Sequence, residues 1–167
     1  QVRTKFADLA YWNGKVLLDE NGYGKVSFTA PENLSSWKIQ SWYINKDVAV
    51  GQEKSEIKTR KNVMLRLQVP RFLIESDEVI ISANLHNEFD SAQEFEVTLE
   101  NSDEAELIGK KSFSVKVEPH GQKRIDWRFR IIKEGDLQLT VKALNKKESD
   151  AMQLTVPVKV HGMQILK

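Results

Sequence analysis

Apolar and polar residues alternate at period two along most of this chain. A chain written that way can bury its apolar set only as β-strands that turn one face to a core and one to water. Val63, Leu65, Leu67 and Val69 share a face, with Met64, Arg66 and Gln68 opposite. The pattern returns in Val79, Ile81, Ala83 and Leu85, and in Phe95, Val97 and Leu99 against Glu94, Glu96 and Glu100. Phe113, Val115 and Val117 continue it, followed by Ile125, Trp127, Phe129 and Ile131, then Leu137, Leu139, Val141 and Ala143, and finally Met152, Leu154, Val156 and Val158. Polar or Gly/Pro-marked breaks separate these runs at Glu88-Phe89-Asp90-Ser91, Pro119-His120-Gly121, Lys133-Glu134-Gly135-Asp136 and Asn145-Lys146-Lys147-Glu148-Ser149. About seven strands in about 100 residues predict a Greek-key antiparallel β-sandwich over 60–160. The acid-bearing stretch 101–110, with Asp103, Glu104 and Glu106, reads as its longest loop, a solvated excursion.

The first 59 residues are patterned differently. Strands are expected at 2–6, 15–18, 23–29, 37–44 and 53–58, and Asn21-Gly22 suits a type I′ hairpin with both central residues at positive φ. So few strands over so short a length rarely bury enough apolar surface to stand alone. Trp12, Phe28, Trp37, Trp42 and Tyr43 nevertheless give the segment a heavy aromatic load. It reads as part of a sandwich whose remaining strands lie upstream. Glu53, Lys54, Glu56, Lys58, Arg60 and Lys61 suggest an edge strand running into an interdomain link. The expected organisation is an incomplete sandwich over 1–59, a complete one over 60–160, and the entry to a further module at 161–167. Gln1 opens directly into a strand-like Val2-Arg3-Thr4-Lys5-Phe6, so the chain is expected to be an internal piece of a longer protein.

Composition narrows the function classes. Twenty-five basic and 24 acidic residues leave a formal net charge of +1, too small a field to favour nucleic acid. No apolar run approaches the roughly 20 residues that span a bilayer, so no direct membrane insertion is expected. Cysteine is absent, which removes disulfides, Cys-ligated zinc and thiol nucleophiles from within the chain.

No constellation for catalysis, metal or cofactor binding can be assembled. His86, His120 and His161 sit at strand ends or turns without a shared ligand spacing. Asp19-Glu20-Asn21-Gly22 fails the EF-hand spacing, and Gly22-Tyr23-Gly24 lacks the later glycine and the helix of a phosphate cradle. Ser27, Ser41 and Ser82 lie inside strand patterns, with no nucleophile elbow. A glycosidase-like pair from Asp103, Glu104 and Glu106 would need two carboxyls facing across a pocket. Trp37 and Trp42 differ by an odd number and so face opposite sides of a strand, one inward and one exposed or covered by a neighbouring domain. Trp12, Trp37 and Trp42 keep a second reading open, an Ig-like adhesion or carbohydrate-binding module of a cell-surface protein. Asn33-Leu34-Ser35 fits a glycosylation acceptor only in a eukaryotic secretory setting.

One ordered set of motifs is more specific. Asp19-Glu20-Asn21-Gly22 is followed by Pro31-Glu32-Asn33-Leu34-Ser35-Ser36-Trp37, then Leu67-Gln68-Val69-Pro70-Arg71-Phe72-Leu73, then Asp77-Glu78. This order resembles the alpha-2-macroglobulin family, which includes the complement thioester proteins, from about residue 2 to about 162. Glu32 and Ser36 stand where that family usually has Asp and Thr. The resemblance implies tandem macroglobulin-type sandwiches, the first interrupted in the family by inserted sequence. It implies a non-enzymatic protease trap in which cleavage of a bait segment, shortly before residue 1, releases a strained array of β modules. Partners would be the neighbouring macroglobulin-like and thioester domains and, through the parent protein, target proteases. A cysteine-free stretch fits a bacterial, periplasmic or secreted member, whose parent could be anchored at the inner membrane. Pro70 should end a strand, having no N–H for a ladder, with Phe72 or Leu73 folding onto the core and Arg71 pairing with Asp77 or Glu78.

Overall fold

The structure is a computed structural model and describes residues 2–160 and Gly162. The expected module entry at 161–167, His161 included, otherwise lies outside the described residues. The strands are β1 (Val2–Arg3), β2 (Ser36–Ile44), β3 (Val50–Lys58), β4 (Val63–Gln68), β5 (Leu73–Ile74), β6 (Glu78–Asn87), β7 (Gln93–Asn101), β8 (Ala105–Ile108), β9 (Ser112–Val117), β10 (Gln122–Ile131), β11 (Gly135–Leu144) and β12 (Ser149–Lys159). The described residues are all strand, turn and irregular segments. The chain divides into two compact units, one over Arg3–Thr59 and one from Arg60 onward together with Val2.

The larger unit is a β-sandwich. One sheet runs β4-β6-β10-β8; the other runs β1-β12-β11-β7-β9, with β5 parallel on β12. From β6 to β11 every connection crosses from one sheet to the other, and only β11 and β12 form a hairpin within one sheet. The alternation of the sequence explains the packing. Leu65, Leu67, Ile81, Ala83, Leu85, Trp127 and Phe129 of one sheet are buried with Phe95, Val97, Leu99, Leu137, Leu139 and Val141 of the other. Removing the Leu, Ile, Val and Phe side chains among them from water contributes about 1.5–3 kcal/mol each. Trp127 meets the edge of Phe113 with ring centroids 5.8 Å apart, and its indole N–H donates to the Lys111 carbonyl at 3.1 Å, so its burial strands no polar atom.

The stretch 101–110 is not a free loop. Ala105 is buried and Ala105–Ile108 pairs with β10, Glu106 opposite Arg130. Its strand was hidden because only one of its side chains is fully inside, and the acids flanking it point to water.

In the smaller unit β2 pairs with β3 in register from Ser36 opposite Lys58 to Ile44 opposite Val50. Among the described residues no strand falls between Arg3 and Ser36, so the expected strands at 15–18 and 23–29 do not form and the one at 2–6 shrinks to Val2–Arg3. A bare two-stranded ribbon is marginal in water, and Leu17, Leu18, Tyr23, Val26 and Phe28 lie exposed. The turn between them is also not type I′. Gly22 alone has positive φ, +82°, while its N–H donates to the Asp19 carbonyl and Asp19 N–H to the Tyr23 carbonyl. That is a three-residue loop closed by a left-handed glycine. The Asp19 carboxylate selects it by accepting from the N–H groups of Asn21 (2.9 Å) and Tyr23 (2.8 Å).

Candidate functional site

The motif 31–37 works as a staple within the smaller unit. Glu32 Oε2 accepts from the backbone N–H groups of Thr4 (2.7 Å) and Lys5 (2.9 Å), while Glu32 N–H donates to the Lys5 carbonyl at 2.8 Å. Asn33 Oδ1 accepts from Ala7 N–H at 3.0 Å. A carboxylate on two amides is a charge-assisted contact, stronger than a neutral one. The Thr59 hydroxyl donates to the Asn33 carbonyl at 2.8 Å and accepts from Ser35 N–H and the Trp37 indole N–H at 3.1 and 3.2 Å. Ser36 donates to Glu56 across the β2–β3 ladder. Trp37 is thus half-buried and held, whereas Trp42, of opposite parity on β2, is 62% exposed.

The corner after β4 is structural. Leu73 is the residue that reaches the core, while Phe72 stays outside beneath the Lys159 ammonium, 5.0 Å from the ring centroid. Arg71 pairs with neither expected acid. Glu78 is taken by Arg130 at 2.9 Å, because β6 and β10 place the two opposite one another, and Asp77 accepts from Ile131 N–H through its backbone carbonyl.

The groups weighed for chemistry are dispersed. His86 lies on the outer face of β6, and His120 Nε2 sits 3.1 Å from Asp90 Oδ1 at an exposed turn. Among the described residues no three His, Asp or Glu side chains cluster to hold a metal. Glu104 accepts the Ser102 hydroxyl, which holds its carboxyl below the usual range, and Glu106 lies 3.9 Å from Arg130. Ser82 is buried and donates to Asp126 at 2.7 Å; that bond first, then the Arg124 guanidinium, lowers the Asp126 pKa. This arrangement points the serine at a carboxylate that Arg124 also holds at 2.7 Å, an ion-paired acceptor and a weak base.

Two anchoring residues escaped the sequence reading. Thr59 hides in a charge-rich link. Asp150 left a signal, an acid in the inward register of Met152, Val156 and Val158. Its side chain is wholly buried, accepting from Lys61 Nζ at 3.2 Å and Leu65 N–H at 2.9 Å.

A sequence profile of the alpha-2-macroglobulin family matches residues 9–99, more than half of the chain. The chain belongs to the alpha-2-macroglobulin family. The alpha-2-macroglobulin of Thermotoga maritima is 29% identical over 160 residues, covering 94% of this chain and 10% of that protein. An alpha-2-macroglobulin homolog of Nostoc is 25% identical over 87 residues, 52% of this chain and 5% of its own length. Trypsin-activated alpha-2-macroglobulin from Escherichia coli shares the fold, with TM-score 0.76 and 19% identity over 84% of this chain and 10% of that one. The chain therefore spans about a tenth of the length of the alpha-2-macroglobulin from Thermotoga. Its β-sandwich is of the macroglobulin type, and the Glu32 staple and the Leu73 corner are what the family-like motifs build here.

Proposed function

We propose that this chain is a non-catalytic structural part of an alpha-2-macroglobulin-type, broad-spectrum protease inhibitor, and that it links a bait segment on its N-terminal side to a thioester domain on its C-terminal side. In this reading 1–59 is the C-terminal part of one macroglobulin sandwich, completed by upstream strands, and 60–160 is the next. Its partners are neighbouring domains of the parent and, through the parent, proteases, in an extracytoplasmic setting.

The family match across residues 9–99 is the observation that carries this. The staple supports the mechanical role. Glu32 and Asn33 hold the amides of Thr4, Lys5 and Ala7, so a change in tension on the chain before residue 2 that passes the β1–β12 pairing acts next on those bonds. Cleaving the parent protein in the bait segment should therefore alter amide exchange over residues 2–60, most at Thr4, Lys5 and Ala7. Unchanged protection there would sink the coupling role. Trp12 and Trp42, 71% and 62% exposed, keep the carbohydrate-binding reading alive. Saturable quenching of tryptophan fluorescence by a sugar would favour it, and a flat titration leaves the inhibitor reading ahead.

A further inference from the structure

We infer that Asn13-Gly14 is a self-modifying site, at which Asn13 converts to aspartate and isoaspartate faster than the chain's other Asn-Gly pair, Asn21-Gly22. Both pairs are exposed, and a Cβ at either glycine would meet nothing within 4 Å, so both glycines face open space on that side. The hydrogen bonds around them differ at the attacking nitrogen and at the side-chain oxygen.

In the reaction the Gly14 amide nitrogen gives its proton to hydroxide and attacks Asn13 Cγ. The N–Cγ bond forms, the Cγ–Nδ2 bond breaks, and ammonia leaves with a proton from water. Water then opens the cyclic imide at either carbonyl, so one amide and one water become one carboxylic acid and one ammonia. The charge that develops on Asn13 Oδ1 needs a donor, and Lys15 N–H already donates to that oxygen at 3.0 Å. The side chain is also oriented, since Asn13 Nδ2 donates to the Tyr11 hydroxyl at 3.0 Å. Tyr11 is itself fixed by stacking on Phe28, with ring centroids 5.0 Å apart. Among the described residues Gly14 N–H has no acceptor and is free to react.

At Asn21 the assignments are reversed. The nucleophile is tied down, because Gly22 N–H donates to the Asp19 carbonyl at 3.0 Å. The Asn21 side chain has no hydrogen-bond donor on its oxygen among the described residues, and the neighbouring acids Asp19 and Glu20 oppose a developing negative charge. Conversion at Asn13 would take the formal net charge from +1 to zero. In the isoaspartate form it would also lengthen the backbone by one carbon between residues 13 and 14.

The test is to incubate the chain at mildly alkaline pH and quantify aspartate and isoaspartate at both positions by peptide mapping. A matched incubation in denaturant serves as reference. In the folded chain Asn13 should convert about tenfold faster than Asn21, equivalent to about 1.4 kcal/mol of barrier. In the unfolded chain the two should convert at similar rates. Lys15→Pro, which removes the donor to Oδ1, should slow Asn13 alone. Faster conversion at Asn21, or a ratio no different from that of the unfolded chain, would overturn the inference. So would an unaltered Asn13 rate in Lys15→Pro.

Discussion

Asp150 shows how much one side chain can carry. It is the buried acid of the larger unit, and it satisfies both an ammonium, Lys61, and a core amide, Leu65 N–H. Replacing Asp150 by Ala leaves that amide buried without this acceptor and the ammonium without its partner. The loss should be about 2–4 kcal/mol, since an unmet buried donor costs about 1–3 kcal/mol and breaking a buried pair 3–5 kcal/mol, reduced here because Lys61 is partly exposed. Asp150→Asn keeps an acceptor for Leu65 N–H and should lose clearly less. Urea unfolding of the whole chain measures both. Equal losses in the two variants would show that the Lys61 charge, and not the amide, dominates.

At the scale of elements, legibility followed how many side chains of a strand face inward. β6, β7, β10 and β11 each bury three or more alternate residues, so periodicity alone located them. β8 buries Ala105 alone, so its pattern is that of a loop. The hairpin around Asn21 went wrong for another reason. A side chain, the Asp19 carboxylate, chooses that turn, and backbone preference for Asn-Gly does not contain it. Ion pairing across β6 and β10 depends on register, which the sequence does not print, so Glu78 goes to Arg130 and not to the nearby Arg71. The β2–β3 hairpin carries its own misfit. Val48 sits at φ +62° and 73% exposed, a β-branched residue in the left-handed region. That conformation costs about 1–2 kcal/mol for an L-residue, while glycine in its place gives back about 0.5–1 kcal/mol in unfolded-state entropy. Val48→Gly should therefore stabilise the hairpin by about 0.5–1 kcal/mol. Higher amide protection along Val50–Lys58 would register it. Lower protection would mean that Val48 is held by packing and not strained. Gly51 is the converse case, since the Tyr43 ring across the ladder fills the space a Cβ would need.

Across the whole molecule the two units differ in what holds them. Every buried hydrophobic residue among those described lies between Val63 and Val158. The smaller unit is held instead by hydrogen bonds at Glu32, Asn33 and Thr59 and by the β2–β3 ladder. Hydrogen bonds exchanged against water stabilise by only about 0.5–1.5 kcal/mol each, against a backbone ordering cost of about 1–2 kcal/mol per residue. Burial tips that balance in the larger unit and has little to offer in the smaller one. Native-state amide exchange should therefore be graded within one chain. Amides of β7, β10 and β11 should open only on global unfolding, and those of β2 and β3 at much lower free energy. A chain beginning at Arg60 should keep cooperative unfolding reported by Trp127 emission. If β2 and β3 proved as protected as β10, the smaller unit would have a stability these contacts do not supply, and its reading as part of a sandwich completed by other strands would lose its physical ground.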